Sequence, residues 1–103
     1  MGRLKKRKFE NIGELLDFND ENPLLIQTET LEKLEQYFKS NKKIGLVDVF
    51  EAEFPDSEDG PIKMTIFEEE WGEALNLGLE VFLQNEKYDL AARARDLLKE
   101  IKL

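Results

Sequence analysis

A chain of 103 residues with 37% charged side chains and a net charge of −8 has room for one modest hydrophobic core and not for two. It contains no cysteine and no histidine, which excludes disulfides, thiolate nucleophiles, cysteine-based zinc sites and the one side chain that titrates unperturbed near neutrality. No stretch approaches the roughly 20 apolar residues of a membrane span, and Phe9 is followed at once by Glu10 and Asn11, so the basic N-terminus lacks the apolar region of a signal peptide. The expectation is a cytoplasmic protein without membrane contact, cofactor, metal or small-molecule substrate.

The charge is unevenly spread. Arg3, Lys5, Lys6, Arg7 and Lys8 form a basic arm that no acid interrupts, and from Phe9 onward ten basic residues face all 23 acidic ones. Residues 1–8 read either as a flexible, solvated arm or as a contact for phosphates or an acidic partner; residues 9–103 read as a single domain. Phe9, Ile12, Leu15, Leu16 and Phe18 predict a short helix over 11–18 with Asn11 as its N-cap. Asn19 to Pro23 reads as a breaker, and Leu24 to Ile26 as a brief extended run. Thr28 or Thr30 then caps a helix over 29–40, whose apolar stripe is Leu31, Leu34, Tyr37 and Phe38.

From Ile44 to Phe54 the hydrophobic period falls to two, and Ile62, Met64 and Ile66 repeat it after a polar loop bounded by Pro55 and Pro61. Two strands around a short loop predict an antiparallel hairpin, with Gly45 letting the chain turn into it. Thr65 and Glu68 have capping-box spacing. Trp71, Leu75, Leu79 and Phe82, then Leu90, Ala91, Ala94, Leu97, Leu98 and Ile101, fall at helical spacing on either side of a break at 84–87. Residues 68–103 are therefore expected to form an antiparallel helical hairpin. The fold class is α+β, with helices flanking a two-stranded hairpin.

Within that segment Tyr88, Ala91, Ala92, Arg95 and Asp96 follow one another in a pattern that resembles the UVR motif, the helical hairpin of bacterial excision-repair proteins and several stress-response partners. The resemblance covers about 30 residues. It implies association with a like hairpin on a partner protein. Physically, paired small residues let the two helices approach closely while Tyr88 fills the mouth of the turn. The same apolar stripe also serves simply to close the local core, and both uses hold if one face packs inward and the other outward.

Carboxylate clusters carry little chemistry. Asp56, Glu58 and Asp59 lack the alternating ligands and distal bidentate Glu of a calcium loop. Glu68, Glu69 and Glu70 are placed to stabilise the positive end of a helix, and no third group accompanies them for acid–base work. Trp71 reads as a core anchor. The leading function is thus a non-enzymatic protein-interaction module or assembly subunit, using Leu79, Phe82, Tyr88 and Arg95 as contacts, with a protein partner or a second copy as the occupant. The alternative is a nucleic-acid-linked protein, binding DNA or RNA through Arg3, Lys5, Lys6, Arg7 and Lys8, or acting as an acidic mimic that blocks a basic protein.

Overall fold

The most basic stretch of the sequence forms a strand. The computed structural model describes residues 5–40, 45–55 and 60–101. It places Lys5–Lys8 (β1), Leu46–Glu53 (β2) and Ile62–Phe67 (β3) in one sheet of order β1-β2-β3. β2 pairs antiparallel with β3 and parallel with β1. A parallel neighbour requires a long crossover, supplied here by α1 (Ile12–Glu21) and α2 (Pro23–Lys39). After β3 a single 3-10 turn, Glu68–Glu70, leads into α3 (Trp71–Gln84) and α4 (Tyr88–Ile101). The fold is α+β with a C-terminal helical hairpin, as the sequence predicts, but the sheet has three strands rather than two. From Lys5 on, the basic segment is its edge strand and not a flexible arm.

β1 is held by a distant partner. Lys5 and Arg7 lie opposite Phe50 and Ala52 in the register and reach Glu29 of α2. Lys6 and Lys8 project from the other face, opposite Glu51 and Glu53. A short, lysine-rich strand is a good sheet edge, because its charges oppose pairing with another chain.

The β2–β3 ladder contains a bulge. Asp48 pairs with Thr65 and Phe50 with Met64, leaving Val49 as the extra residue. The shift changes which residues share a face: Val47, Phe50 and Ala52 line up with Ile66, Met64 and Ile62. Strict alternation from Leu46 to Phe54 would have put Val47 and Phe50 on opposite faces. The opposite face carries Asp48, Glu51, Lys63 and Thr65, none of them buried. There the Thr65 hydroxyl donates to Asp48 at 2.6 Å.

The two helices of the crossover meet at Asn22. Asn11 caps α1 by accepting the Glu14 N–H at 3.0 Å. The helix continues to Glu21, where the Asn22 backbone and side-chain N–H groups both donate to the Phe18 carbonyl, at 3.0 and 2.9 Å. Pro23 then opens α2 at its first position, where a missing N–H costs nothing. Leu24 to Ile26 are therefore helical rather than extended. Thr28 and Thr30 cap nothing; their hydroxyls donate back to the carbonyls of Leu24 and Ile26 at 2.7 and 2.8 Å.

Gly45 has φ +74°, and its carbonyl accepts the Glu68 N–H at 2.9 Å. That left-handed residue turns the chain into β2 as expected. Entry to the hairpin is fixed two residues later than Thr65 and Glu68 predict: the Phe67 N–H donates to the Glu70 carboxylate at 3.2 Å. Trp71 then anchors the core, its indole N–H donating to the Ile66 carbonyl at 3.0 Å. Its ring packs edge-on against Tyr37 and Phe38, with centroids 4.9 and 5.5 Å away.

One hydrophobic cluster joins Leu31, Leu34, Val47, Trp71, Leu75, Phe82, Ala91, Ala94, Leu97 and Leu98. A second gathers Phe9, Leu15, Val49, Phe50 and Ala52 under α1. α3 ends in a Schellman turn, in which the Lys87 N–H donates to Phe82 O at 2.7 Å and the Glu86 N–H to Leu83 O at 3.1 Å. Glu86 occupies the left-handed position at φ +57°.

Candidate interaction surface

The hairpin divides its residues between core and solvent. Ala91 and Ala94 face α3 and are buried, and Ala92 beside them is only half-buried. Phe82 is fully buried among core residues at 0% exposure. Sequence spacing placed Phe82 among the partner contacts; in the structure its ring is a core element with no surface to offer. Leu79 is half-buried and packs against the same cluster. One turn further along α3, Leu83 is 48% exposed, and across the connection Tyr88 is 63% exposed. Leu79 and Leu83 are four residues apart, so they share a face of α3.

Arg95 and Asp96 are both exposed. Arg95 follows Tyr88 by seven residues, two helical turns on the same side of α4, about 10 Å along its axis. Tyr88 and Arg95 therefore lie on one stripe, and Leu83 is carried toward its start by the tight turn at Asn85 to Lys87. Spacing alone did not identify Leu83, which falls outside the 71-75-79-82 stripe. It marks the exposed shoulder of that stripe.

A second feature escaped sequence reasoning because its partners are 58 residues apart. Arg93 of α4 forks onto Glu35 of α2, with its Nε donating at 3.0 Å and a terminal nitrogen closing the pair. Glu35 thereby pushes the Arg93 guanidinium further up from its ordinary value. This pair borders a shallow groove that includes Phe38, Asp96 and Glu100.

The basic segment is largely neutralised in place. Arg7 donates to both oxygens of Glu29, at 2.9 and 2.7 Å, and Lys5 lies 3.2 Å from the same carboxylate. The Arg7 guanidinium is also sandwiched near the Phe18 and Phe50 rings, 5.1 and 4.8 Å from their centroids. Burial alone would raise the Glu29 carboxyl; the hydrogen bonds from Arg7 and Lys5, with their charges, outweigh it and hold Glu29 below the usual carboxylate value. Lys6 and Lys8 remain exposed. Arg3 and the loop acids Asp56, Glu58 and Asp59 lie outside the described residues.

Among the described residues, no group of three or more acidic side chains is arranged to hold a metal ion, and no helix is long and apolar enough to cross a membrane. Comparison with protein-family models, curated proteins and solved structures finds no match to this chain.

Proposed function

We propose that this protein is a non-enzymatic interaction module that engages a partner protein through the turn end of its C-terminal hairpin. The observation that carries the reading is the exposure of Leu83 and Tyr88 at the turn end of a hairpin whose core stripe, Trp71, Leu75, Phe82, Ala91, Ala94, Leu97 and Leu98, is buried; Leu77, farther from the turn, is exposed as well. A core-closing hairpin needs only the buried stripe. Large apolar side chains left in water beside a basic residue suit the centre of a contact, where aromatic and arginine side chains carry most binding energy. Leu79, Leu83, Tyr88 and Arg95 are the residues assigned to it. The UVR-like pattern in the same segment favours a helical hairpin as the partner, and a chain without cysteine suits the reducing cytoplasm.

Direct nucleic-acid binding by the basic segment is less well supported, since Glu29 already occupies Lys5 and Arg7 and acids lie opposite Lys6 and Lys8.

Site-specific photo-crosslinking in the native host tests the proposal. A benzoylphenylalanine probe replacing Tyr88 is expected to yield a discrete adduct, with a second copy or another protein, that a probe at exposed Lys63 does not give. Equal labelling from both positions, or none from position 88, would overturn it.

A further inference from the structure

We infer that the partner of the hairpin is a second copy of this chain, docked face to face so that α3 of each lies on α4 of the other; the inference rests on the reading of the hairpin as a binding element. One side of the hairpin is taken by α2. Gly78 of α3 lies against the Gln27 side chain of α2, and Leu97 of α4 lines the groove shared with Glu35 and Phe38. At 3.6 residues per turn, Glu73, Glu80 and Leu83 lie about 140–160° round α3 from Gly78. Tyr88, Arg95 and Lys99 lie about 160–180° round α4 from Leu97. All six side chains are thus on the side of the hairpin away from α2, and all six residues are exposed.

Their charges sort by helix. The α3 half of the face carries two acids, Glu73 and Glu80, and the α4 half two cations, Arg95 and Lys99. None of these four belongs to an ion pair among the described residues. A partner of one sign, whether a phosphate backbone or a uniformly basic helix, complements only half of such a face. The surface that complements both halves is the same face turned about a twofold axis parallel to the helices.

That rotation exchanges the helices and keeps each residue at its height along the hairpin. Heights follow from the turn, where the Lys87 N–H bonds to Phe82 O, each step back along α3 matching one step forward along α4. Leu83 then meets the partner's Tyr88 at the turn end. Glu80 comes within one helical turn of the partner's Arg95, and Glu73 lies level with the partner's Lys99. Every contact occurs twice. A twofold axis across the helices instead lays α3 on α3 and sets Glu73 and Glu80 against the same acids, which excludes that orientation by like-charge repulsion. The face measures about 20 Å on a side, small for a stable interface, and two chains of net charge −8 repel at long range. The dimer is accordingly weak and concentration-dependent.

Sedimentation velocity of the full chain, from about 10 μM to about 1 mM, tests the inference. The mass is expected to rise from 12.1 kDa toward twice that value. Glu80→Lys alone and Arg95→Glu alone should each weaken self-association about tenfold or more, because each sets like charges together twice per dimer. Both should unfold thermally near the parent chain. Mixed in equal amounts, the two variants should recover the parental affinity, since in the mixed dimer both contacts between positions 80 and 95 again join opposite charges. A monomer at every concentration, single variants that associate as tightly as the parent, or a mixture that fails to recover the dimer would overturn the inference. The reading of the hairpin as a binding element fails on a different result, the absence of a discrete adduct from the probe at position 88. An adduct with another protein, from a chain that stays monomeric, overturns the second copy and leaves that reading standing.

Discussion

Replacing Glu29 by glutamine should be among the most destabilising single changes to a charged residue in this protein. The Glu29 side chain is 8% exposed and that of Arg7 16%, and two direct hydrogen bonds join them. Removing the carboxylate charge strands a guanidinium between Phe18 and Phe50. Breaking a buried pair from one side costs about 3–5 kcal/mol; the residual exposure of Arg7 places the effect near 3 kcal/mol. For a domain of this size that lowers Tm by roughly 12–24 °C, read by circular dichroism or by Trp71 fluorescence. Arg7→Met should cost a similar amount, whereas Arg7→Met/Glu29→Leu should return to within about 1 kcal/mol of the parent, because two apolar side chains remove the desolvation problem together. The folded-state carboxyl of Glu29 lies below its ordinary value of 4.5. Its contribution is therefore complete above that pH and is lost as pH falls through the lower folded value. Denaturant midpoints measured from neutral to strongly acid pH should fall less steeply in Glu29→Gln than in the parent. A cost under about 1 kcal/mol, with no coupling in the double-mutant cycle, would refute the reasoning and make this an ordinary surface pair.

Three further outcomes follow from particular residues. Glu86→Gly should stabilise the protein by about 0.5–1 kcal/mol in chemical denaturation, since glycine adopts the left-handed position at φ +57° without steric cost. Gly72→Ala should also raise stability by up to about 1 kcal/mol, as a methyl there meets nothing within 4 Å, whereas Gly78→Ala gains less because its methyl would sit 3.0 Å from the Gln27 side-chain oxygen. Phe82→Ala should cost about 3–5 kcal/mol of unfolding free energy while Tyr88→Ala costs under about 1, the difference following from 0% against 63% exposure.

The parts of the fold legible in the sequence are those built from local periodicity. α3, α4 and the break between them follow from apolar spacing, and β2 and β3 from the change of period. β1 was hidden because Lys5, Lys6, Arg7 and Lys8 contain no apolar residue. It is a strand by pairing with β2, more than 40 residues on, and its cations are met by a carboxylate 22 residues from Arg7 on α2; no local pattern reports either. Pro23 misled in an informative way: after Asn22 it reads as a stop, yet its ring is equally suited to start a helix. The register shift at Val49 is marked only by a change of phase, the polar positions passing from Asp48 to Glu51 and Glu53 across the adjacent Val49 and Phe50. Of the hairpin contacts, spacing named the stripe, but only packing separates Phe82, which is enclosed, from Leu83 and Tyr88, which are not. The Arg93–Glu35 pair joins two helices distant in sequence and was invisible for the same reason as β1.

The division of the hairpin into a structural stripe and a binding end is tested most directly by replacing Leu83 and Tyr88 together with serine and reading two quantities on the same protein. One is Tm; the other is the yield of adduct from a photo-crosslinking probe at position 95 in the native host. Binding through the turn end predicts a Tm within a few degrees of the parent, because neither side chain is buried, together with loss of the adduct. An adduct that persists at full yield, or a Tm that collapses as it does for Phe82→Ala, would contradict it.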